Sequence, residues 1–244
     1  MNYPAPEQLL AAWRDYGLPF ADQPRLVKRF ISIGNNQSFL VEADNSKWVV
    51  RVHRDASQLG VDRDRELQIH RCAAEKGLAP AIKHASRDIL ITRYIVGQGF
   101  SPSATNKLGN SGLIGQVKNV HQLELDLPKY DYRQQLVLLD PANSLSTLID
   151  DAIDLVESQG KRVLCHHDLS PENILVAHGK AIFIDWEYAA FGIDAMDFAT
   201  LVCDCQVPDE QVIAETDISR DLLQAACRVY QSICEKWAAK SDSR

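Results

Sequence analysis

The segment CHHDLSPENILV, residues 165–176, contains the side chains of this chain that are best suited to chemistry. Two histidines stand beside Asp168, and Asn173 follows five residues later. Apolar residues flank this polar stretch on both sides, which predicts a loop between two buried segments. Further along the chain, the apolar run AIFI leads into Asp185. The spacing therefore places two aspartates and an asparagine at the ends of buried segments.

A carboxylate at the end of a buried strand has lost water, which is costly unless a cation or several hydrogen-bond donors compensate its charge. Asp168, Asn173 and Asp185 could converge, and their oxygens are the hard ligands that Mg²⁺ prefers, with phosphates filling its remaining positions. In phosphoryl transfer, one aspartate accepts the proton of the attacking hydroxyl, while an asparagine and a second aspartate hold the metal. The pattern predicts this chemistry, with Asp168 as the base and the other two residues as metal ligands.

Two other interpretations of this segment stay open. A histidine next to an aspartate is commonly a surface or turn feature with no chemical role. A zinc site built from His166, His167 and Asp168 is also possible, although adjacent histidines in an extended segment point to opposite sides. No further soft ligand stands at a matching spacing. We expect one of the two histidines to brace the loop by hydrogen bonding, a role close to that of the histidine in protein-kinase catalytic loops, and we count His166 with Asp168 among the candidate catalytic residues.

The elements that must position these residues differ between the two halves of the chain. The runs SFLVEA and KWVVRVHR, separated by DNS, predict a β-hairpin. A helix is predicted over residues 62–76, with Asp62 as its N-cap. Helical spacing dominates the second half, including a helical region from about 194 to 238. We therefore predict an α+β fold with a β-rich lobe over residues 1–97 and a helical lobe over residues 98–244.

A nucleotide site needs a cation on the phosphates and a partner that positions it. Arg51 on the second strand of the hairpin and Glu66 on the predicted helix would repeat the cation–glutamate pair of protein kinases. The alternative is an edge-strand charge and a solvated helix residue. The turn that contains Gly34, Asn35 and Asn36 stands where a phosphate-covering loop belongs. Asparagine tolerates left-handed conformations, which suits such a loop, and an ordinary hairpin turn is the alternative.

Composition and charge limit the partners and the cellular location that we expect for this chain. The formal net charge of −7 argues against a nucleic-acid partner, which requires a basic face. Hydrophobic residues make up 45% of the chain, and no run of about 18 apolar residues predicts a membrane helix. The N-terminal segment lacks the pattern of a signal peptide. The six cysteines are scattered, so we expect reduced thiols and a cytoplasmic protein.

The same segments resemble the choline/aminoglycoside phosphotransferases, a family with a two-lobed protein-kinase-like fold. HHDLSPENIL is similar to the family's His-x-Asp-Leu-x-Pro-x-Asn loop, with His166, Asp168 and Asn173 at matching positions. IFIDWEYAAFGIDAMDFA resembles a segment of the choline and thiamine kinase branch. SFLVEADNSKWVVRVHR resembles the nucleotide-lobe strands of that branch, which also place arginine at the Arg51 position. The resemblance implies Asp168 as catalytic base, Asn173 and Asp185 as Mg²⁺ ligands, and ATP as the usual donor.

The acceptor is predicted from the side chains around these motifs. Glu187 is a candidate contact of the metal or the acceptor, and Asp194 or Asp197 is expected to face the acceptor or to brace the catalytic loop. Tyr230 and Trp237 could pack within the lobe or line a pocket for a cation. The acidic chain favours a small cationic alcohol as acceptor, with thiamine first and choline or ethanolamine next. A sugar or aminoglycoside kinase, and a non-catalytic nucleotide-binding regulatory module, are the alternatives.

Overall fold

The computed structural model of the protein describes residues 4–30, 36–53, 60–102, 108–141 and 145–242. The chain forms two compact units, and each has its own hydrophobic core. The first unit comprises Met1–Ala56 and Pro80–Val96, and the second comprises Ser57–Ala79 and Gly97–Arg244.

The described residues of the first unit form one short helix and five strands. Its elements are α1 (Pro6–Ala11), β1 (Arg25–Arg29), β2 (Asn36–Ala43), β3 (Ser46–His53), β4 (Ile82–Ala85) and β5 (Ile89–Arg93). The strands form an antiparallel sheet in the order β1-β2-β3-β5-β4. Apolar residues of helix α1 complete the core on one face of this sheet.

Strands β2 and β3 form the predicted hairpin. Asp44 and Asn45 make its turn with φ angles of 51° and 54°, a left-handed conformation that both residue types tolerate and that two-residue hairpins require. Alternation along β3 buries Val50 and Val52 in the core of the first unit. Arg51 lies between them, so its side chain leaves the opposite face of the sheet.

Helix α2 (Arg63–Glu75) belongs to the second unit. Its start is confirmed, because the Asp62 side chain accepts hydrogen bonds from backbone N–H groups of the first turn. Its apolar face, which includes Ile69, is buried in the core of the second unit. Ser57–Ala79 thus group with the second unit, and the lobe boundaries expected at residues 1–97 and 98–244 stay a prediction. The division of nucleotide binding and catalysis between the lobes stays a prediction.

The second unit contains the remaining elements, most of which are helices. Its further helices are α3 (Gly109–His121), α4 (Tyr132–Leu139), α5 (Thr147–Gln159), α6 (Asp194–Cys203), α7 (Asp209–Glu215) and α8 (Arg220–Asp242). Its short strands are β6 (Gln98–Gly99), β7 (Arg162–Cys165), β8 (Ile174–Ala177), β9 (Lys180–Phe183) and β10 (Ala190–Ile193). The strand orders are β6-β8-β9 and β10-β7, both antiparallel. The antiparallel sheets and separate helices confirm the predicted α+β class. None of the helices described is long and apolar enough to cross a membrane.

The short strands of the second unit bring three polar segments to one place. The loop after β7 carries Asp168, and a 3-10 turn that ends at Asn173 leads from it into β8. Because β9 pairs with β8, the chain after β9 returns beside this turn, and the Ile184 N–H donates to the Asn173 carbonyl at 2.9 Å. Asp185 follows, and a second 3-10 turn (Trp186–Tyr188) leads on towards β10.

Candidate active site

The structure brings Asp168 and Asn173 into direct contact. The side-chain amide of Asn173 donates to the Asp168 carbonyl at 3.0 Å and to the carboxylate Oδ2 of Asp168 at 2.8 Å. Because the amide nitrogen faces Asp168, the amide oxygen of Asn173 is the atom that could bind a cation. The five-residue separation is bridged by the 3-10 turn that begins at Pro171, whose fixed φ suits the first position of a helical turn.

Asp185 occupies a strained position close to this pair. Its φ and ψ angles of 63° and 66° are left-handed, which is uncommon for a residue other than glycine. The turn that follows is anchored by Trp186, whose side chain is fully buried and donates to the Phe183 carbonyl at 3.1 Å. Strain of this kind persists only where the surrounding structure imposes it, and it is concentrated at functional sites.

The surroundings of Asp168 favour its protonated form. Burial, and then the negative charges of Asp185 and Glu187, raise the pKa of the Asp168 carboxyl to about 7, although the Asn173 hydrogen bond acts in the opposite direction. A carboxylate with a pKa near neutrality is suited to accept a proton and to release it again. The raised pKa also reflects several carboxylates crowded into one half-buried place, where a divalent cation would compensate them.

His166 braces the loop from inside the core. Its ring contacts the Ile184 carbonyl through Nε2 at 3.1 Å and accepts a hydrogen bond from the Asp168 N–H through Nδ1 at 3.3 Å. Since a carbonyl only accepts, Nε2 carries the proton. Burial lowers the pKa of His166 to about 4, so its ring is neutral at pH 7. These are the contacts of a bracing residue, and a direct catalytic role for His166 stays a prediction.

His167 makes contacts different from those of His166. It stacks on Tyr130 with 4.2 Å between the ring centroids, and its Nε2 lies 3.1 Å from the Tyr132 hydroxyl. His167 has a left-handed φ of 63°, so the two rings take different partners at a bend of the backbone and not through the alternation of an extended segment. Among the described residues, these two histidines belong to no cluster of three side chains placed to share a metal ion. The geometry therefore gives the zinc alternative no support.

Asp197 on helix α6 holds the backbone of the loop. Its buried carboxylate accepts hydrogen bonds from the N–H groups of His166 and His167, both at 2.9 Å, and lies 3.0 Å from Nε2 of His121. Burial acts to raise the pKa of Asp197, but the hydrogen bond and charge of His121 hold that pKa below its ordinary value. Of the two aspartates considered for this role, Asp197 is thus the one that braces the loop. His121, at the end of helix α3, carried no sequence signal that singled it out.

Asp194 binds backbone groups at the start of helix α6. Its Oδ1 accepts hydrogen bonds from the Lys161 N–H at 3.1 Å and from the Ala195 N–H at 2.8 Å. These bonds join the segment between α5 and β7 to the first turn of α6. The contact of Asp194 with an acceptor stays a prediction.

Arg63, which no sequence motif singled out, links two of the predicted site residues. Its Nη1 donates to Glu66 Oε2 at 2.6 Å and to Glu187 Oε2 at 3.0 Å. Both glutamates are buried, and Arg63 is largely so. The sequence carried a signal only for the contact with Glu66, which lies three residues after Arg63 on the same helix. Roles for Glu66 at the nucleotide and for Glu187 at the acceptor stay predictions.

The remaining predicted nucleotide contacts lie in the first unit or outside the described residues. Arg51 is half-buried in β3, and its pairing with Glu66 stays a prediction, since the two residues belong to different units. Asn36 begins β2, where it is buried opposite His53. Gly34 and Asn35 lie outside the described residues, so the phosphate-covering loop also stays a prediction.

Aromatic and acidic side chains surround Asp168 on the side of helix α8. Tyr230 donates to Asp204 Oδ2 at 2.5 Å, and the charge of Asp204 contributes to the raised pKa of Asp168. Trp237 hydrogen-bonds to the side chain of Tyr188. Burial raises the pKa of Tyr188 above its ordinary value, with a contribution from the charge of Asp168. Negative charge and aromatic rings therefore lie together near the candidate base.

A family model and two relatives match the sequence. The model of the phosphotransferase enzyme family matches residues 115–235, which contain the Asp168 loop and Asp185. Protein LicA of Haemophilus influenzae is 24% identical over 227 residues, which cover 84% of this chain and 63% of LicA. A LicA homolog of Mycoplasma capricolum subsp. capricolum is 31% identical over 101 residues, which cover 37% of this chain and 41% of the homolog. The chain thus spans less than two thirds of the length of these two relatives.

Solved structures share the fold at low sequence identity. Choline kinase LicA from Streptococcus pneumoniae superposes with a TM-score of 0.77 at 16% identity, covering 98% of this chain and 92% of that one. A choline/ethanolamine kinase family protein from Mesorhizobium loti superposes with a TM-score of 0.64 at 16% identity, covering 96% of this chain and 84% of that one. Spectinomycin phosphotransferase, in complex with ADP and spectinomycin, superposes with a TM-score of 0.64 at 15% identity, covering 98% of this chain and 87% of that one.

The matched residues contain the loop, the strained aspartate and the bracing aspartate whose contacts are described above. The likeness in fold to the solved structures includes residues of both compact units. Residues 115–235 therefore match the phosphotransferase enzyme family, and the chain has the protein-kinase-like fold of its structural neighbours.

Proposed function

We propose that this chain transfers the γ-phosphoryl group of ATP to the hydroxyl of a small cationic alcohol. The observation that carries the proposal is the Asp168 carboxylate, which is bonded to Asn173 and has its pKa raised towards neutrality beside Asp185. The proposed location is the cytoplasm, which the six free cysteines support.

The residues of the loop divide the chemistry between them. Asp168 accepts the proton of the acceptor hydroxyl, and its bond to Asn173 orients the carboxylate for that transfer. The Asn173 amide oxygen and the Asp185 carboxylate would hold Mg²⁺, for which two hard oxygen ligands beside phosphates are typical. Mg²⁺ bound there would neutralise charge on the transferring phosphoryl group. His166 and Asp197 keep the loop in place while the proton moves.

The side chains near Asp168 favour a cationic acceptor. The Asp204 carboxylate, with Tyr230 bonded to it, supplies negative charge, and Tyr188 with Trp237 supplies aromatic rings whose faces attract cations. We favour choline and ethanolamine over thiamine as the acceptor, because the named structural relatives include choline and ethanolamine kinases. A quaternary ammonium is attracted by its charge to both kinds of group, and a neutral sugar lacks this attraction.

A panel of acceptors tests the proposal. Choline, ethanolamine, thiamine, a neutral sugar and an aminoglycoside are each offered to the purified chain with Mg-ATP, and kcat/KM is compared from ADP release. We expect choline or ethanolamine to exceed the neutral sugar by at least about ten-fold, which corresponds to about 1.4 kcal/mol. A preference for the sugar or the aminoglycoside would show that the acceptor is not a small cationic alcohol. Nucleotide binding without transfer to any acceptor would favour the regulatory module.

A further inference from the structure

Arg63, the first residue of helix α2, binds two buried glutamates through a single nitrogen. Nη1 lies 2.6 Å from Glu66 Oε2 and 3.0 Å from Glu187 Oε2. The exposed fraction of the side chain is 18% for Arg63, 3% for Glu66 and 8% for Glu187. Water therefore contributes little to the solvation of these charges, and the ion pairs take its place.

The two glutamates belong to different elements of the second unit. Glu66 lies on helix α2 itself, whereas Glu187 lies in the 3-10 turn that follows Asp185. Helix α2 also packs against this turn. A guanidinium group is planar and presents its donors in fixed directions, so it can hold two carboxylates in a defined relation. Arg63 thus connects helix α2 to the backbone that presents Asp185.

The turn requires such a connection because its backbone is strained. Asp185 has a φ of 63°, and left-handed conformations of this kind persist only where neighbouring contacts impose them. On one side of the turn, the buried Trp186 is fixed by its bond to the Phe183 carbonyl. On the other side, Glu187 is fixed by Arg63, which lies 124 residues away in sequence.

We infer that Arg63 is a positioning residue for phosphoryl transfer, which acts through Glu187 to fix the turn that presents Asp185. Its catalytic consequence rests on the proposed function, while the fixing of the turn does not. Glu187 thereby braces the metal-binding segment, a role different from the acceptor contact considered from the sequence. Breaking the contact from either end removes the anchor that Arg63 supplies to this turn.

Hydrogen–deuterium exchange on the full chain tests the fixing of the turn without using activity. Arg63→Met keeps an unbranched apolar side chain and removes the guanidinium group with its charge. Glu187→Gln weakens the same contact from the other end and leaves Arg63 paired with Glu66, so it serves if Arg63→Met fails to fold. Arg71→Met is the matched control, because it removes an exposed arginine from the same helix.

We expect the amides of residues 185–189 to exchange about ten-fold faster in Arg63→Met and Glu187→Gln, because local opening becomes easier. The control should exchange like the wild type over this segment. Unchanged exchange over residues 185–189 in both variants would overturn the inference, and so would equal acceleration in the control.

Steady-state kinetics with Mg-ATP and the preferred acceptor test the catalytic consequence. Both single variants should lower kcat about 10- to 100-fold and leave the acceptor KM within about three-fold, since misplacement of a catalytic group mainly affects the chemical step. The double variant Arg63→Met/Glu187→Gln should lose no more than the more impaired single variant, because both changes remove one contact.

Two kinetic results would overturn the inference. The first is a higher acceptor KM at unchanged kcat in Glu187→Gln, which would make Glu187 an acceptor contact. The second is a double variant whose loss is the product of the two single losses. A wild-type chain that transfers no phosphate would refute the proposed function instead, and the exchange experiment would then decide whether Arg63 fixes the turn.

Discussion

At the scale of single residues, the contacts of Asp168 fix its position more firmly than they stabilise its negative charge. Asn173 binds the carboxylate, and His166 accepts a hydrogen bond from the Asp168 N–H, so position and orientation are fixed. Burial and the charge of Asp185 nevertheless raise its pKa to about 7. A carboxylate that is fixed in place but poorly stabilised in its charged form gains from accepting a proton. The arrangement suits proton abstraction from a hydroxyl better than permanent ion binding.

Asp168→Asn tests the base directly. The amide has nearly the same shape, so we expect the fold and the affinity for Mg-ATP to be retained. It cannot accept the proton, and kcat should fall about 10²- to 10⁴-fold, the usual range for loss of a general base. Asp204→Asn is the matched control, because it changes a neighbouring carboxylate and should raise the acceptor KM without a comparable loss of kcat. An Asp168→Asn variant with kcat close to the wild type would exclude Asp168 as the base.

Asp185→Asn tests the metal ligand without adding backbone strain. Asparagine tolerates the left-handed φ of 63°, whereas alanine would change the strain as well as the charge. Loss of a charged oxygen ligand should remove most of the contribution of Mg²⁺ to ATP affinity. Calorimetric titration with ATP, with and without Mg²⁺, measures that contribution. Equal Mg²⁺ dependence in the variant and the wild type would show that Asp185 is not a ligand.

At the scale of elements, strand β10 packs so closely on the loop that carries Asp168 that only glycine fits at residue 192. A Cβ atom on Gly192 would lie 2.3 Å from Nε2 of His167 and 2.8 Å from the Tyr132 hydroxyl. Gly192→Ala should lower the free energy of unfolding by about 1–3 kcal/mol, the usual cost of overpacking, and should lower kcat by displacing the loop.

Gly115→Ala is the matched control for this substitution. Gly115 lies inside helix α3, and an added Cβ would meet nothing within 4 Å. Alanine there should raise the free energy of unfolding by about 0.5–1 kcal/mol, because it removes the cost of glycine in a helix. Urea unfolding of both variants gives the comparison. Equal effects of the two substitutions would mean that the contact at Gly192 is relieved without cost.

Local elements were predictable where the chain itself carries the signal. The Asp44–Asn45 turn and the Asp62 cap act through side chains within a few residues, so the β2–β3 hairpin and helix α2 could be recognised in advance. Long-range contacts have no such signal. The bond from Arg63 to Glu187 spans 124 residues, and the packing that buries them is set by the whole second unit. The sequence could name Asp197 only as one of two candidates for the same reason.

At the scale of the whole molecule, buried groups of the site make opposing contributions to the pH dependence of folding stability. Burial lowers the pKa of His166 and of His167 to about 4, below the value of about 6.5 in an unfolded chain. The unfolded state therefore binds more protons between pH 6.5 and pH 4, and this contribution to stability is lost as pH falls through that window. Asp168 acts in the opposite direction. Its raised pKa makes the folded state bind more protons below pH 7, so its destabilising effect is largest above pH 7 and is relieved on acidification.

Asp168→Asn separates these two contributions, since it removes the carboxylate and leaves both histidines. In EDTA at pH 8, we expect the variant to be more stable than the wild type by on the order of 2 kcal/mol, because an unfavourable buried charge has been removed. The difference should shrink as the pH is lowered towards 5, where the wild-type carboxyl is itself largely protonated. Below pH 6.5 the variant should lose stability more steeply than the wild type, because only the histidine contribution remains. Urea unfolding of both proteins at pH 8, 6.5 and 5 provides the measurement. A stability difference that does not change with pH would show that Asp168 titrates alike in the folded and unfolded chains, and the pH dependence would then belong to the histidines alone.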